Sequence, residues 1–186
     1  MQNTSVKMNR AIPLDGPICL NLGGRLTKIP GFIVVDRNKD ENTDIEGDVS
    51  DLSMFSDGAV SQIYASHILE HFPHNKTVDV LKEWCRVLKK GGEAFISVPD
   101  FDVLVKYYKR IGLTQWIVDL GWGGQEYPEA YHYSPFNFHR LALVLTKAGF
   151  SNMERIAHMP FGLADCSELR NTVDGTMISL NMRAIK

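Results

Sequence analysis

Cysteine is scarce in this chain: Cys19, Cys85 and Cys166 stand far apart among 186 residues. An odd number without CxxC spacing excludes a disulfide framework and a cysteine-built zinc site, and fits a reduced, cytoplasmic setting. Cys19 falls in a strand-like run and Cys85 on a helix face, so both read as small core residues. Long apolar runs are missing too. None approaches the ~20 residues that span a bilayer, and residues 1–10 are polar, without the apolar segment of a signal peptide. Charge of one sign is not in excess: the formal net charge is −2. Lysine and arginine are scattered, so neither nucleic acid nor an anionic membrane is implied as a partner. Internal repeats, low-complexity tracts and linkers are absent. What is present is 44% hydrophobic residues in a length that suits one domain, 1–186, with a real core.

Strand and helix signals alternate along the chain. Residues 17–22 and 32–36 are short apolar runs of the kind buried on both faces of a parallel sheet. Residues 44–48 make a short third strand. Asp57 and Gly58 form a turn before a strand at 60–66. Residues 75–90 form the clearest helix, with Val80, Leu81, Trp84, Val87 and Leu88 at helical spacing. Asn75 or Thr77 caps its start, and Lys89, Lys90 and Gly91 mark its end. A strand at 93–98 stops at Pro99, and 102–111 is helical. A further helix starts at Ser134 as N-cap with Pro135 in the first turn. It carries Leu141, Val144, Leu145 and Ala148 on one side and ends at Gly149. Strands at 153–160 and 176–185 are long enough to pair as a hairpin. Alternation of this kind implies an α/β sheet. Residues 23–31 leave little room between the first two strands, since a full crossover takes ~10–12 residues or more. Residues 1–16 read as an arm.

The chemistry begins where the first two strands end. One apolar run closes in Gly23 and Gly24, the next in Asp36. Glycines there let the backbone approach a ligand, and the aspartate accepts hydrogen bonds from ribose hydroxyls. Asp48 follows the third strand in the same way. The bland alternatives are a cap for Asp36 and a turn residue for Asp48. A nicotinamide dehydrogenase is disfavoured: the third glycine of its fingerprint is missing, and Asp36 stands too close behind Gly23 for the usual ~20-residue spacing. His67, Glu70 and His71 spell the H-x-x-E-H of some zinc peptidases. That reading is set aside, because the motif starts at a strand end and Pro73 cuts its helix short; no metal is expected. Residues 112–136 carry Trp116, Trp122, Tyr127, Tyr131, Tyr133 and Phe136 among several glycines. The segment reads as a substrate lid with His132 as candidate base, or else as a loop packed by its own aromatics with His132 as a structural hydrogen-bonder. His74, His139 and His158 receive no role.

Taken in order, several segments resemble the class I S-adenosylmethionine-dependent methyltransferases, in particular a small bacterial and phage-type subgroup of predicted methyltransferases. These are Leu20 to Gly24, Gly31 to Asp36, Gly47 to Val49, Ile63 to His71, Trp84 to Gly92, and Ser97 to Asp100. Gly123 to Gln125, His132 with Tyr133, Ala148 to Phe150 and Ile178 to Asn181 follow. The resemblance covers residues 17–186. It implies a Rossmann-like α/β fold: a seven-stranded, mostly parallel sheet with a C-terminal antiparallel hairpin and helices on both faces. It implies S-adenosylmethionine as cofactor. Asn21, Gly23 and Gly24 would lie at its methionine part, and Asp36 with Arg37 at the ribose. Asp48 and Val49 would meet the adenine, and Ser66 and His67 the methyl donor. His67 joins His132 as a catalytic candidate. The family's turn usually has another glycine where this chain has Arg25. With no added domain to grip a macromolecule, the expected acceptor is a small or carbohydrate-like molecule. The competing expectation is a non-catalytic binding or assembly protein that keeps the fold. The sequence does not fix the oligomeric state.

Overall fold

The computed structural model describes residues 7–8, 16–24, 26–170 and 174–186. Arg25 and nearly all of the expected arm lie outside them. The strands are β1 (Lys7–Met8), β2 (Ile18–Leu22), β3 (Phe32–Asp36), β4 (Ile45–Glu46), β5 (Val60–Ser66), β6 (Leu88–Pro99), β7 (Ser151–Arg155) and β8 (Ser179–Ile185). Across the sheet they run β1-β4-β3-β2-β5-β6-β8-β7. Strands β2 to β6 pair with one another in parallel, and β8 lies antiparallel between β6 and β7. This is the expected Rossmann-like α/β fold; β1 adds a two-residue antiparallel edge to its seven strands. Strand β2 has β3 on one side and β5 on the other. The chain therefore switches direction across the sheet at β2, where a crevice opens over the carboxyl ends of the strands.

Period-2 alternation sorts each strand between two unlike faces. Leu20, Leu22, Ile33, Val35, Ile63 and Ile96 point to one face and are buried in the main core. Helices α1 (Thr77–Val87) and α4 (Phe138–Ala148) cover that face with Leu81, Trp84, Leu141 and Leu145, all fully buried. On the other face Tyr64 and Phe95 pack with Phe32 around Phe161, whose ring centroid lies 5.1–5.4 Å from theirs. Phe161 comes from the long connection 156–178, so an irregular segment covers this patch. Helices α2 (Phe101–Ile111) and α3 (Gln115–Trp122) build a separate apolar cluster with Ile178.

Several element ends differ from the expected ones. Helix α1 stops at Val87, and its cap residue Leu88 is already extended. Lys89, Lys90 and Gly91 lie within β6, where the pairing with β5 jumps from Leu88 to Glu93. The cation at the helix end is instead Lys186, whose Nζ donates to the carbonyls of Arg86 and Leu88 at 3.1 and 2.7 Å. The N-cap of α1 is Lys76, without a side-chain bond. For α4 it is Asn137, whose Oδ1 accepts from Arg140 N at 2.9 Å. Ser134 instead donates its hydroxyl to Phe72 O at 2.7 Å. The late strands pair as expected, but β7 ends at Arg155 rather than 160, where the chain leaves to place Phe161. Helix α3 falls within the stretch read as a lid. Thr114 caps it by accepting from Ile117 N at 3.4 Å.

Candidate active site

A cleft of about 620 Å³ lies over the carboxyl ends of β2, β3 and β5. Pockets that hold small ligands and cofactors are usually ~300–1,000 Å³. Asn21, Gly23 and Gly24 line it from the end of β2. Gly23 has φ +68°, and a Cβ there would stand 2.0 Å from Ile68. A Cβ on Gly24 would stand 2.0 Å from Asn21 Oδ1. The room left by the glycines is thus partly taken by this chain's own side chains. Asn21 sits under the turn and donates to Thr27 O at 2.6 Å, while its buried Oδ1 has no hydrogen-bond partner among the described residues.

Asp36 lines the same cleft from the end of β3 and is 8% exposed. One of its oxygens accepts from Asn38 N at 2.8 Å, a bond that turns the chain and fixes the carboxylate. Arg37 lies alongside, and its guanidinium meets Asp48 Oδ2 at 2.6 Å. The other oxygen of Asp48 accepts from Ser50 N and Ser50 Oγ at 2.8 and 2.7 Å. Burial works against ionisation of Asp48, but Ser50 and Arg37 outweigh it and hold the carboxyl below its ordinary range. Asp48 does not line the cleft; Val49 does. The Val49 carbonyl accepts from buried Trp84 Nε1 at 2.8 Å, which ties this wall to α1.

Ser66 and His67 close the floor at the end of β5. Ser66 Oγ is buried without a partner. His67 has φ +52°, a left-handed conformation that is costly for a residue with a side chain. Its Nε2 lies 2.9 Å from Ser179 Oγ and its Nδ1 lies 3.2 Å from Glu70 Oε1. The single turn Leu69–His71 then brings Glu70 inward and His71 to the cleft. His132, the expected base, does not line the main cleft. It lines a small cavity of about 10 Å³ together with Glu70. Its ring packs edge-on against that of His71, 4.8 Å between centroids. Burial, only partly offset by the Glu70 charge, lowers the His132 imidazole below its ordinary value.

The 112–136 stretch divides. Tyr127 and Tyr133 line the cleft with Pro128 and Glu129. Phe136 is in the main core, and Trp116 packs against Tyr107 beside α2. Sequence reasoning missed the opposite rim, where Asp165 and Cys166 line the cleft from the 156–178 connection. Tyr64 reaches the rim from β5 and donates its hydroxyl to Asp165 Oδ2 at 2.6 Å. Burial and that carboxylate raise the phenol strongly, so Tyr64 stays neutral as a donor. No short-range pattern marks Asp165; only the fold brings it to Tyr64.

The family described as "Methyltransferase domain" matches residues 29–96, the part that carries β3 to β6. Comparison with curated protein sequences returns no match. Among solved structures, a SAM-dependent methyltransferase from Archaeoglobus fulgidus superposes with TM-score 0.59 at 16% identity, over 92% of this chain and 87% of that one. A SAM-dependent methyltransferase from Methanosarcina mazei gives 0.57 at 18% identity, over 90% and 91%. The Burkholderia thailandensis 1,6-didemethyltoxoflavin-N1-methyltransferase, solved with its substrate and S-adenosylhomocysteine, gives 0.57 at 15%, over 91% and 71%. At these identities the likeness is one of fold. Among the described residues, no helix is long and apolar enough to cross a membrane.

Proposed function

We propose that this chain transfers a methyl group from S-adenosylmethionine to a small or carbohydrate-like acceptor bound in the cleft. The observation that carries the proposal is the polar lining at the switch point: a glycine turn and a nearly buried aspartate end adjacent parallel strands. Asn21 and Ser66, whose Oδ1 and Oγ are buried without a hydrogen-bond partner among the described residues, line the same cleft. Buried polar atoms without partners are costly, and a polar ligand relieves that cost. The residues present fit the cofactor. Asp36 would accept hydrogen bonds from the ribose hydroxyls. Val49, with Arg37 beside it, would hold the base, and Asn21 with the Gly23–Gly24 turn the amino-acid end. S-adenosylmethionine supplies a methyl group activated on a sulfonium.

The far wall then has to hold the acceptor. Tyr127 and Tyr133 offer aromatic faces, which suit a sugar ring or the neighbourhood of a sulfonium. His67 and His71 line the cleft, with His132 behind them. His67, on the floor, is the group that takes the acceptor's proton in this reading. Positioning two reactants in one pocket provides much of the rate of such a displacement, with effective molarities of ~10⁵ M or more for well-oriented groups.

Calorimetry with S-adenosylmethionine and S-adenosylhomocysteine tests the reading. Micromolar binding is expected, weakened ~10- to 100-fold by Asp36→Ala, the loss of a charge-assisted hydrogen bond worth ~1.5–3 kcal/mol. Absence of both heat and thermal shift with either ligand refutes it.

A further inference from the structure

We propose that Glu70, His71 and His132 form a binding site for one divalent transition-metal ion. The three residues each offer a ligand atom, and those atoms lie within 4.8 Å of one another. Zinc-type bonds of ~2.0–2.2 Å set ligand atoms ~3.5 Å apart.

Glu70 gives the first reason. It is 1% exposed, and among the described residues neither carboxylate oxygen has a hydrogen-bond partner. His67 Nδ1 stands 3.2 Å from Oε1 without the alignment of a hydrogen bond. A buried carboxylate this poorly bonded is expensive, and a cation between it and the two rings removes the expense.

The histidines give the second reason. His71 Nδ1 lies 3.1 Å from Tyr131 O, and His132 Nδ1 lies 3.0 Å from Leu120 O. A carbonyl only accepts, so each Nδ1 carries a proton and Nε2 is the nitrogen left to meet a metal ion. Metal-bound histidines are held in this way, the second nitrogen donating to a backbone carbonyl.

The backbone supports the arrangement. Glu70 O accepts from Tyr133 N and Ser134 N at 2.8 and 3.1 Å, and His132 N donates to Trp122 O at 3.0 Å. Gly123 lets the 122–132 loop close, since a Cβ there would fall 1.7 Å from Ala130 O. Two imidazoles and a carboxylate suit Zn²⁺, Fe²⁺, Co²⁺ or Mn²⁺ rather than Ca²⁺. Three protein ligands leave a coordination position open. His71 borders the cleft and the other two border the small cavity behind it, so the ion lies where the acceptor wall meets the interior. Only that last placement depends on the methyl-transfer reading.

The test uses the full-length chain, freed of metal with a chelator and titrated with Co²⁺ and Zn²⁺ without methyl donor. One equivalent of Co²⁺ should bind at micromolar concentration with visible ligand-field absorption, and Zn²⁺ should displace it and raise Tm. Glu70→Gln and His132→Gln should each weaken binding at least tenfold. His71→Ala, at a half-buried position, gives the same readout if those variants fold poorly, and His139→Gln should match the wild type. Absence of a one-equivalent Co²⁺ spectrum overturns the proposal and leaves a water-filled polar cavity. Wild-type affinity in Glu70→Gln and His132→Gln overturns it too. Binding of S-adenosylhomocysteine, measured separately on the metal-free chain, keeps failure here distinct from failure of the methyl-transfer reading.

Discussion

The two walls of the cleft are held by different kinds of contact. On the wall built from β2, β3 and the turn after β4, the carboxylates and the Asn21 amide nitrogen bond groups nearby in the chain. Asp36 bonds Asn38, Asp48 bonds Ser50, and Asn21 reaches Thr27. On the opposite wall the bonds cross the fold: His71 to Tyr131, Ser134 to Phe72, Tyr64 to Asp165 and His67 to Ser179 are separated by 60 to 112 residues. The first wall is a local construction resting on a buried sheet. The second exists only after the 112–136 and 156–178 connections have docked. It is also where a buried carboxylate is left open. On the proposed methyl-transfer reading, the local wall takes the donor and the docked wall takes the acceptor.

Four substitutions probe this contrast. The largest effect is expected from Trp84→Ala, which empties the core beneath the local wall and removes the bond that fixes Val49. Such a change costs ~3–5 kcal/mol, read as a drop in Tm of roughly 2–4 °C per kcal/mol. Gly23→Ala comes next. The positive φ and the Ile68 contact together should cost ~1–3 kcal/mol, and donor binding should weaken with it. If Gly23→Ala lowers neither Tm nor affinity, the local wall is looser than described.

The third probe is pH. The His132 ring is lowered below its ordinary 6.5 in the folded protein. The unfolded chain therefore takes up the proton more readily than the native state. The neutral ring's stability contribution is complete above about pH 6.5 and is lost as pH falls through that value toward the lowered one. Denaturant unfolding between pH 7.5 and 5.5 should show a smaller loss in His132→Gln than in the wild type; equal slopes would remove His132 from the account. The smallest effect is expected from Tyr64→Phe, which removes one bond of the docked wall. A cost of ~0.5–1.5 kcal/mol, with donor affinity unchanged, is the expected result.

The same contrast explains what the sequence made legible. Each strand of the local wall announces itself as an apolar run ending in glycine or aspartate, and β2, β3, β4 and β5 follow that reading closely. Asp36 and Gly23 could be named because their settings are contiguous. Glu70 stands in the sequence only within the H-x-x-E-H pattern set aside above, because a single turn cut by Pro73 gives no hint that His132 will arrive from a distant loop. Asp165 and Phe161 carry no periodic signal at all. The end of α1 was misplaced for a related reason: its capping cation, Lys186, belongs to the far end of the chain, while Lys89 and Lys90 only imitate a helix end.

A crystal structure of the chain with S-adenosylhomocysteine tests the central claim most directly. The ribose hydroxyls should contact Asp36, the adenine should lie beside Val49, and the sulfur should point toward Ser66 and the His71 wall. A ligand found elsewhere, or one seated in the cleft with Asp36 turned away from the ribose, contradicts the account.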